Sequence, residues 1–271
     1  MQIPPHAAPE GLVPYAPART RRLPVFGATV EAVLLPQRAA RSGHELRGKI
    51  AFAPSRAERI VRDEVLWAGD DLVLTPNRFP FAREHRLLWP RARRREPDRA
   101  MWVAIGAWAE AAGGSALLNT VGAAATIGRA HAHLVGERLP FLAALPMRPG
   151  PADLVDLPPG VELLAADLPF CLLVVRGGDA DARASVLDAL GEARLATACN
   201  TAVVGAAAYV YPRALETPAP HFAQALGAAE LWGRGCYTDA AAFAAATGVD
   251  LELALVAGGM PHQPAGGTTR S

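Results

Sequence analysis

Asn119-Thr-Val-Gly122-Ala-Ala-Ala-Thr126-Ile-Gly128-Arg129-Ala-His131-Ala-His133-Leu-Val-Gly136 sets two imidazoles two residues apart behind a glycine-containing turn. On an extended strand, residues i and i+2 point the same way. His131 and His133 therefore project from one face together with Arg129, and the small Ala130 and Ala132 pack on the other. Ala116 to Leu118 ahead of the turn and Ala130 to Val135 behind it read as the two strands of a hairpin. Such a row suits a reaction on phosphate. One imidazole attacks phosphorus, its neighbour exchanges a proton or holds an oxygen, and the guanidinium neutralises developing charge.

Strands and helices mix around this hairpin without a regular βαβ rhythm. Val25 to Leu35 is apolar enough for a helix or a strand, Arg47 to Phe52 reads as a strand, and Leu72 to Leu74 is a short strand ended by Thr75-Pro76. Asn77 to His85 has turn chemistry, and Arg86 to Trp89 is strand-like before the Pro90 stop. Pro97 to Ala112 carries apolar residues at helical spacing, with Pro97 near its start and Gly113-Gly114 after its end, which predicts a helix. The proline-rich stretch from Pro146 to Pro159 reads as a linker, Leu168 to Val175 as a strand, and Asp179 to Glu192 as a helix begun by acidic residues. A faint echo joins the two halves: Asn77 with Leu87-Leu-Trp-Pro-Arg91-Ala92, and Asn200 with Tyr209-Val-Tyr-Pro-Arg213-Ala214. It suggests duplication of one α+β unit.

At 271 residues and 51% hydrophobic content, the chain can bury a sizeable core in one large or two small domains. A net charge of +1 supplies no global field for nucleic acid or an anionic membrane, so neither partner is expected. The run Arg91, Arg93, Arg94, Arg95 reads as a solvated face that can also steer anions. Cys171, Cys199 and Cys236 are far apart and odd in number, which fits a reducing cytoplasm and no zinc knuckle or disulfide framework. The N-terminus lacks an apolar core of signal-peptide length, and no long apolar run is present, so neither secretion nor a spanning helix is expected. Residues 1–17 and 258–271 read as flexible ends.

The pairing of Asn77-Arg-Phe79-Pro80-x4-His85-x-Leu-Leu-x-Pro90 with Asn119-x-x-Gly122 and the His-x-His strand resembles the histidine triad superfamily. It is most similar to the two-half branch that holds galactose-1-phosphate uridylyltransferases, diadenosine tetraphosphate phosphorylases and GDP-hexose phosphorylases. The likeness covers Val65 to Phe141 well and Leu168 to Gly233 more loosely. It implies an α+β fold of two fused histidine-triad-like halves, each an antiparallel sheet with packed helices. The catalytic half is placed at residues 18–148, a linker at 149–159 and the second half at 160–257.

The family pattern Ser-x-x-His-x-His-x-(His or Gln) fits this chain in two registers. In one, Arg129, His131 and His133 fill the three positions, Thr126 replaces the serine and His131 is the nucleophile. In the other, His131, His133 and Val135 fill them and His133 is the nucleophile. The first is preferred, because Thr126, Gly136 and Leu139-Pro-Phe141 then fall into place. Either way one expected member is missing. The resemblance implies nucleotidyl transfer through a covalent nucleotidyl-histidine, by a phosphorylase, a hydrolase or a non-catalytic nucleotide-binding relative.

Catalytic residues are then His131, His133 and Arg129, and substrate-binding residues Asn77, Phe79, Asn119, Gly122, Thr126 and Gly128, with His85 as a structural partner near the sheet edge. The partner is a small-molecule nucleotide. No protein-held metal or cofactor is expected, since no Cys, Asp or Glu near the His pair has ligand spacing and magnesium can arrive with the nucleotide. His221 and Glu230 read as ordinary surface and helix residues, and Trp102 and Trp108 as core.

Overall fold

The computed structural model describes residues 3–4, 9–39, 54–151, 153–222 and 224–262. The strand expected at Arg47 to Phe52 lies outside them. In chain order the elements are β1 (Arg19–Val25), β2 (Ala28–Leu34), α1 (Pro54–Asp63), β3 (Trp67–Ala68), β4 (Leu72–Pro76), β5 (Arg86–Pro90), α2 (Arg99–Ala111), β6 (Ser115–Asn119) and β7 (Ala132–Val135). Then follow α3 (Phe141–Ala144), β8 (Met147–Pro149), β9 (Val161–Ala166), β10 (Leu173–Gly177), α4 (Ala180–Glu192), β11 (Cys199–Val204) and β12 (Ala207–Pro212). The chain closes with α5 (Ala228–Trp232), β13 (Arg234–Tyr237), α6 (Ala240–Ala245) and α7 (Gly248–Gly258).

Among the described residues these strands form a ten-stranded sheet, ordered β3-β4-β5-β7-β6-β11-β12-β10-β9-β8, and a three-stranded sheet, ordered β1-β2-β13. The large sheet is antiparallel throughout. Its two halves repeat one path: β4-β5-α2-β6-β7 and β9-β10-α4-β11-β12 follow the same neighbour order, and β6 pairs with β11 at the join. The architecture is thus the expected α+β doubling, but the sequence echo does not mark equivalent places. Leu87 to Pro90 lies on β5, whose counterpart in this order is β10, whereas Tyr209 to Pro212 lies on β12.

Each helix of the repeat is started by an aspartate. Asp98 Oδ1 accepts from Met101 N at 3.0 Å and Asp179 Oδ1 from Ala182 N at 2.8 Å, satisfying an N–H that the first turn leaves unpaired. Alternation along the strands splits the interior in two. Leu88, Leu118, Leu134, Val175 and Val203 face α2 and α4, while Leu117, Val135, Val174 and Ala202 face the small sheet and the C-terminal helices.

Arg234 clamps the small sheet to the large one. Its guanidinium, only 2% exposed, bonds Glu137 Oε1 at 2.7 Å and Glu31 Oε2 on β2 at 2.5 Å. Two expectations for the chain's quieter stretches are corrected. Met147–Pro149, inside the proline-rich stretch read as linker, forms β8 and pairs with β9. At the ends, Ile3 is buried in the helix-side core, Pro9–Gly11 forms a 3-10 turn, and Gly259 bridges to Arg213.

Candidate active site

The hairpin forms as the sequence predicts, with Leu117 of β6 and Leu87 of β5 both opposite His133 of β7. His131 stands just ahead of β7, and its ring centroid lies 5.3 Å from that of His133. His133 shares the face of Leu117, which looks toward the small sheet, and the His131 ring lies beside it. Trp89 stacks under His131 at 4.7 Å with an interplanar angle of 22°, and Phe81 lies 5.6 Å from His133. Both histidines are largely buried, at 6% and 8% exposure.

His131 Nδ1 lies 2.8 Å from the Arg129 main-chain oxygen. A carbonyl only accepts, so Nδ1 carries the proton and Nε2 the lone pair.

The third histidine is the one that sequence reasoning set aside. His85, 1% exposed at the exit of the β4–β5 turn, puts Nε2 2.9 Å from His133 Nδ1. Its Nδ1 accepts from Phe81 N at 3.3 Å. Asn77 Nδ2 lies 2.9 Å from Nε2 and 3.4 Å from Nδ1 of the same ring, so His85 is held by an amide on one side and by His133 on the other. Asn77 Oδ1 in turn accepts from Phe79 N at 2.9 Å, closing the β4–β5 turn. His85 is therefore a partner of His133 inside the cluster, and Asn77 supports it; the spacing from the His-x-His strand hid this, because the contact spans two strands.

Asn119 is the pivot between the halves. Its Oδ1 accepts from Asn200 Nδ2 and from Ala228 N, both at 2.8 Å. Asn200, its register partner on β11, also bonds Ala123 O at 2.7 Å and accepts from Arg213 Nη1 at 2.5 Å. Arg213 is 3% exposed and further donates to the main-chain oxygens of Gly258, Leu226 and Leu215. Gly227 lets α5 come this close, since a Cβ there would stand 3.3 Å from Asn119 Oδ1.

Two cavities meet at Asn119. The smaller, about 120 Å³, is lined by His133, Asn119, Thr126, Arg38, Gln224 and Glu230, among others. The larger, about 190 Å³, is lined by Trp102, Leu118, Leu187 and Leu195 and also by His131. His133 thus opens on one cavity and His131 on the other, and the pair stands between them.

The remaining expected site residues distribute unevenly. Arg129 lines neither cavity: its Nη2 donates to the main-chain oxygens of Pro90 at 2.5 Å and Arg91 at 2.9 Å, which ties it to the exit of β5. Gly122 adopts a φ of 87° and allows the turn to close against the β11 entry, yet neither it nor Gly128 lines a cavity. The turn is instead held from the second half, with Glu216 Oε1 accepting from Ala124 N at 3.2 Å. Phe79 contributes its carbonyl, which accepts from Arg38 Nη1 at 2.7 Å, and lines neither cavity. Val135, third in the alternative register, is fully buried in apolar core.

Two wall residues were not expected. Glu230 is a buried member of the site and no surface residue: its carboxylate accepts from Gly227 N at 2.9 Å and Cys236 N at 3.3 Å, and burial pushes its pKa up against those bonds. Arg38 arrives from the end of the β1–β2 hairpin. Trp102 and Trp108 are both core, at 9% and 2% exposure, and Trp102 also lines the larger cavity. All three cysteines are free thiols, and burial raises Cys199 to about 11.

No protein-family model matches the sequence, and no curated protein matches it. Similarity appears among solved structures. The yeast Ap4A phosphorylase Apa2 in complex with Ap4A superimposes with a TM-score of 0.68 at 16% identity, over 95% of this chain and 94% of that one. The same yeast enzyme in complex with AMP gives 0.67 at 16% identity, over 96% and 94%. Over nearly its whole length, then, the chain has the fold of a yeast Ap4A phosphorylase.

Proposed function

We propose that the protein is a nucleotidyltransferase of the phosphorylase type, cleaving a dinucleoside polyphosphate or a nucleotide sugar through a nucleotidyl-His131 intermediate. The observation that carries this reading is a pair of imidazoles 5.3 Å apart, each held at its Nδ1. His131 Nδ1 donates to the Arg129 carbonyl, which leaves Nε2 as the attacking nitrogen. His133 is tied at Nδ1 to His85, and its Nε2 is assigned to the leaving oxygen. Nε2 of His131 attacks the α-phosphorus, a P–N bond forms, and the P–O bond to the leaving phosphate breaks with its electron pair on oxygen. His133 holds or protonates that oxygen. An oxygen of inorganic phosphate then attacks the same phosphorus, breaks the P–N bond and releases a nucleoside diphosphate, so that one hard displacement becomes two easier ones. Asn119 and Thr126 are proposed as substrate contacts in the cavity, and magnesium as an ion that enters with the nucleotide.

The fold shared with Apa2, whose solved complexes contain Ap4A and AMP, supports the same substrate class. A hydrolytic variant, with water in place of phosphate, is favoured by one feature: an imidazole at position 133 can activate water as readily as it can protonate a leaving group.

Incubation with dinucleoside polyphosphates and nucleotide sugars, with and without inorganic phosphate, tests both. Phosphate-dependent release of nucleoside diphosphate is expected; phosphate-independent release of a monophosphate would transfer the assignment to the hydrolase. Binding without turnover and without any mass gain on the intact protein would sink the covalent route.

A further inference from the structure

We infer that the larger cavity is a nucleobase pocket, which seats the aromatic base of the nucleotide held at His131. The link to His131 rests on the nucleotidyl-transfer reading; the pocket itself is argued from its walls. These come from both repeats: Trp102 on α2 and Leu118 on β6 from the first, Leu187 on α4 and Val210 on β12 from the second. All four belong to one apolar cluster of the interior, and Leu195 packs against it. An apolar cleft where two units meet is a usual place for a small organic ligand. Volume narrows the choice. At about 190 Å³ the cavity exceeds the roughly 150 Å³ of an apolar interior cavity that takes up benzene, so a single planar heterocycle has room.

Chemistry narrows it further. Trp102 brings an indole to the wall, and an indole stacks on the π-face of any base, purine or pyrimidine. Charge of both signs lines the cavity, Arg95 and Arg194 beside Glu96, Asp188 and Glu192, so a neutral occupant suits it better than a phosphate. A sugar would need a hydrogen-bonding partner for each buried hydroxyl, and apolar side chains supply none. A base needs only a few polar groups along its edge, and Thr197 and Thr201 bring hydroxyls to the same wall. His131 lines this cavity, His133 lines the smaller one, and Asn119 lines both. A base seated beside Trp102 therefore leaves its ribose and phosphate to run past Asn119 to the imidazoles. The leaving phosphate then falls to the smaller cavity, where Gln224 and Thr238 make the wall polar. The two cavities divide the substrate between base and phosphate.

Free nucleosides test the pocket without any transfer step. Adenosine, guanosine, uridine and cytidine are titrated by calorimetry into wild type and Ala196→Phe, with indole as an unspecific aromatic probe. The substitution puts a ring into the cavity from a half-buried loop position. At least one nucleoside is expected to bind wild type and to lose about tenfold or more in affinity for Ala196→Phe. Hydrogen exchange on wild type needs no variant. The bound nucleoside should slow amides between Leu187 and Thr201 and leave unchanged those from Gln224 to Thr238, in the wall of the smaller cavity. Four results overturn the assignment: no nucleoside bound by wild type, indole bound as tightly as the best nucleoside, equal affinity in Ala196→Phe, or slowing confined to the smaller cavity. The nucleotidyl adduct is read separately by intact mass. A wild type that binds nucleoside in this pocket and forms no adduct condemns the transfer reading and leaves the pocket standing.

Discussion

His85 Nε2 lies 2.9 Å from His133 Nδ1, joining the β4–β5 turn to the adjacent strand β7 inside the sheet. This contact positions the ring proposed to meet the leaving group. His85→Ala leaves His131 and its carbonyl anchor in place, so His131 keeps its lone pair. The expected result is a fall in kcat of about 10²-fold with a much smaller change in KM, since a misplacement near 1 Å is enough for such a loss. Steady-state kinetics check it. A KM effect with kcat intact would make His85 a binding residue instead.

Substitution of the two strand histidines should separate their roles. His131→Ala is expected to abolish the acid-labile nucleotidyl adduct and with it nearly all turnover. His133→Ala should still accumulate adduct, more slowly by roughly 10²- to 10⁴-fold, the usual contribution of a positioned proton donor. Intact-mass spectrometry after rapid quench reads both. Adduct in the His131 variant and none in the His133 variant would exchange the assignments.

Asn200→Ala removes the side chain that ties Asn119 to Arg213. It leaves polar groups of Ala123, Asn119 and the buried Arg213 short of a partner. A stability loss of about 1–3 kcal/mol is expected from urea unfolding. Because Asn119 also lines the cavity, KM should rise in the same variant even though residue 200 lines only the inter-half seam.

Acid should find Glu137 and Glu230 responding in opposite senses. Burial works against ionisation of Glu137, but the hydrogen bonds and charge of Arg234 outweigh it and hold its pKa below the ordinary 4.5. Its contribution is therefore complete above that value and is lost as pH falls through the lower folded pKa. Glu230, raised by burial, contributes most when protonated and loses stability as pH rises. Glu137→Gln should flatten the acid loss of unfolding free energy seen in wild type below about pH 5, and Glu230→Gln should steepen the profile above about pH 4. Parallel curves for the two variants would contradict the assignment.

Much of the first half was legible along the chain. Periodicity and terminal signals located α2 to within two residues at either end, and the glycine turn located β6 and β7. The closeness of His131 and His133 was anticipated from i, i+2 parity, although only His133 lies within β7. What the sequence concealed depends on distance. His85 reaches His133 from the entry of a neighbouring strand, Arg38 comes from the 3-10 turn after β2, and Glu230 lies on α5, which docks on Asn119. Arg129 looked like a member of the row because it shares the row's parity, yet the strand begins only at Ala132, and outside the ladder parity no longer dictates direction. In the second half, the short runs of β11, β12 and β13 carry few boundary signals. Pro212-Arg213 looked like a repeat mark, while the structure employs Arg213 to hold the C-terminal helix and the entry of α5.

The ladder between β6 and β11 also determines how the molecule can be divided. Each is an interior strand of the assembled sheet, largely buried on both faces, and carries no proline or lysine to guard an edge. A chain severed between the two repeats would turn both into bare margins with unanswered amides, the kind of border along which proteins stick together. Fragments expressed apart should accumulate as insoluble material, and only co-expression would let each cover the other. The two repeated units are thus expected to need each other to close the seam between them.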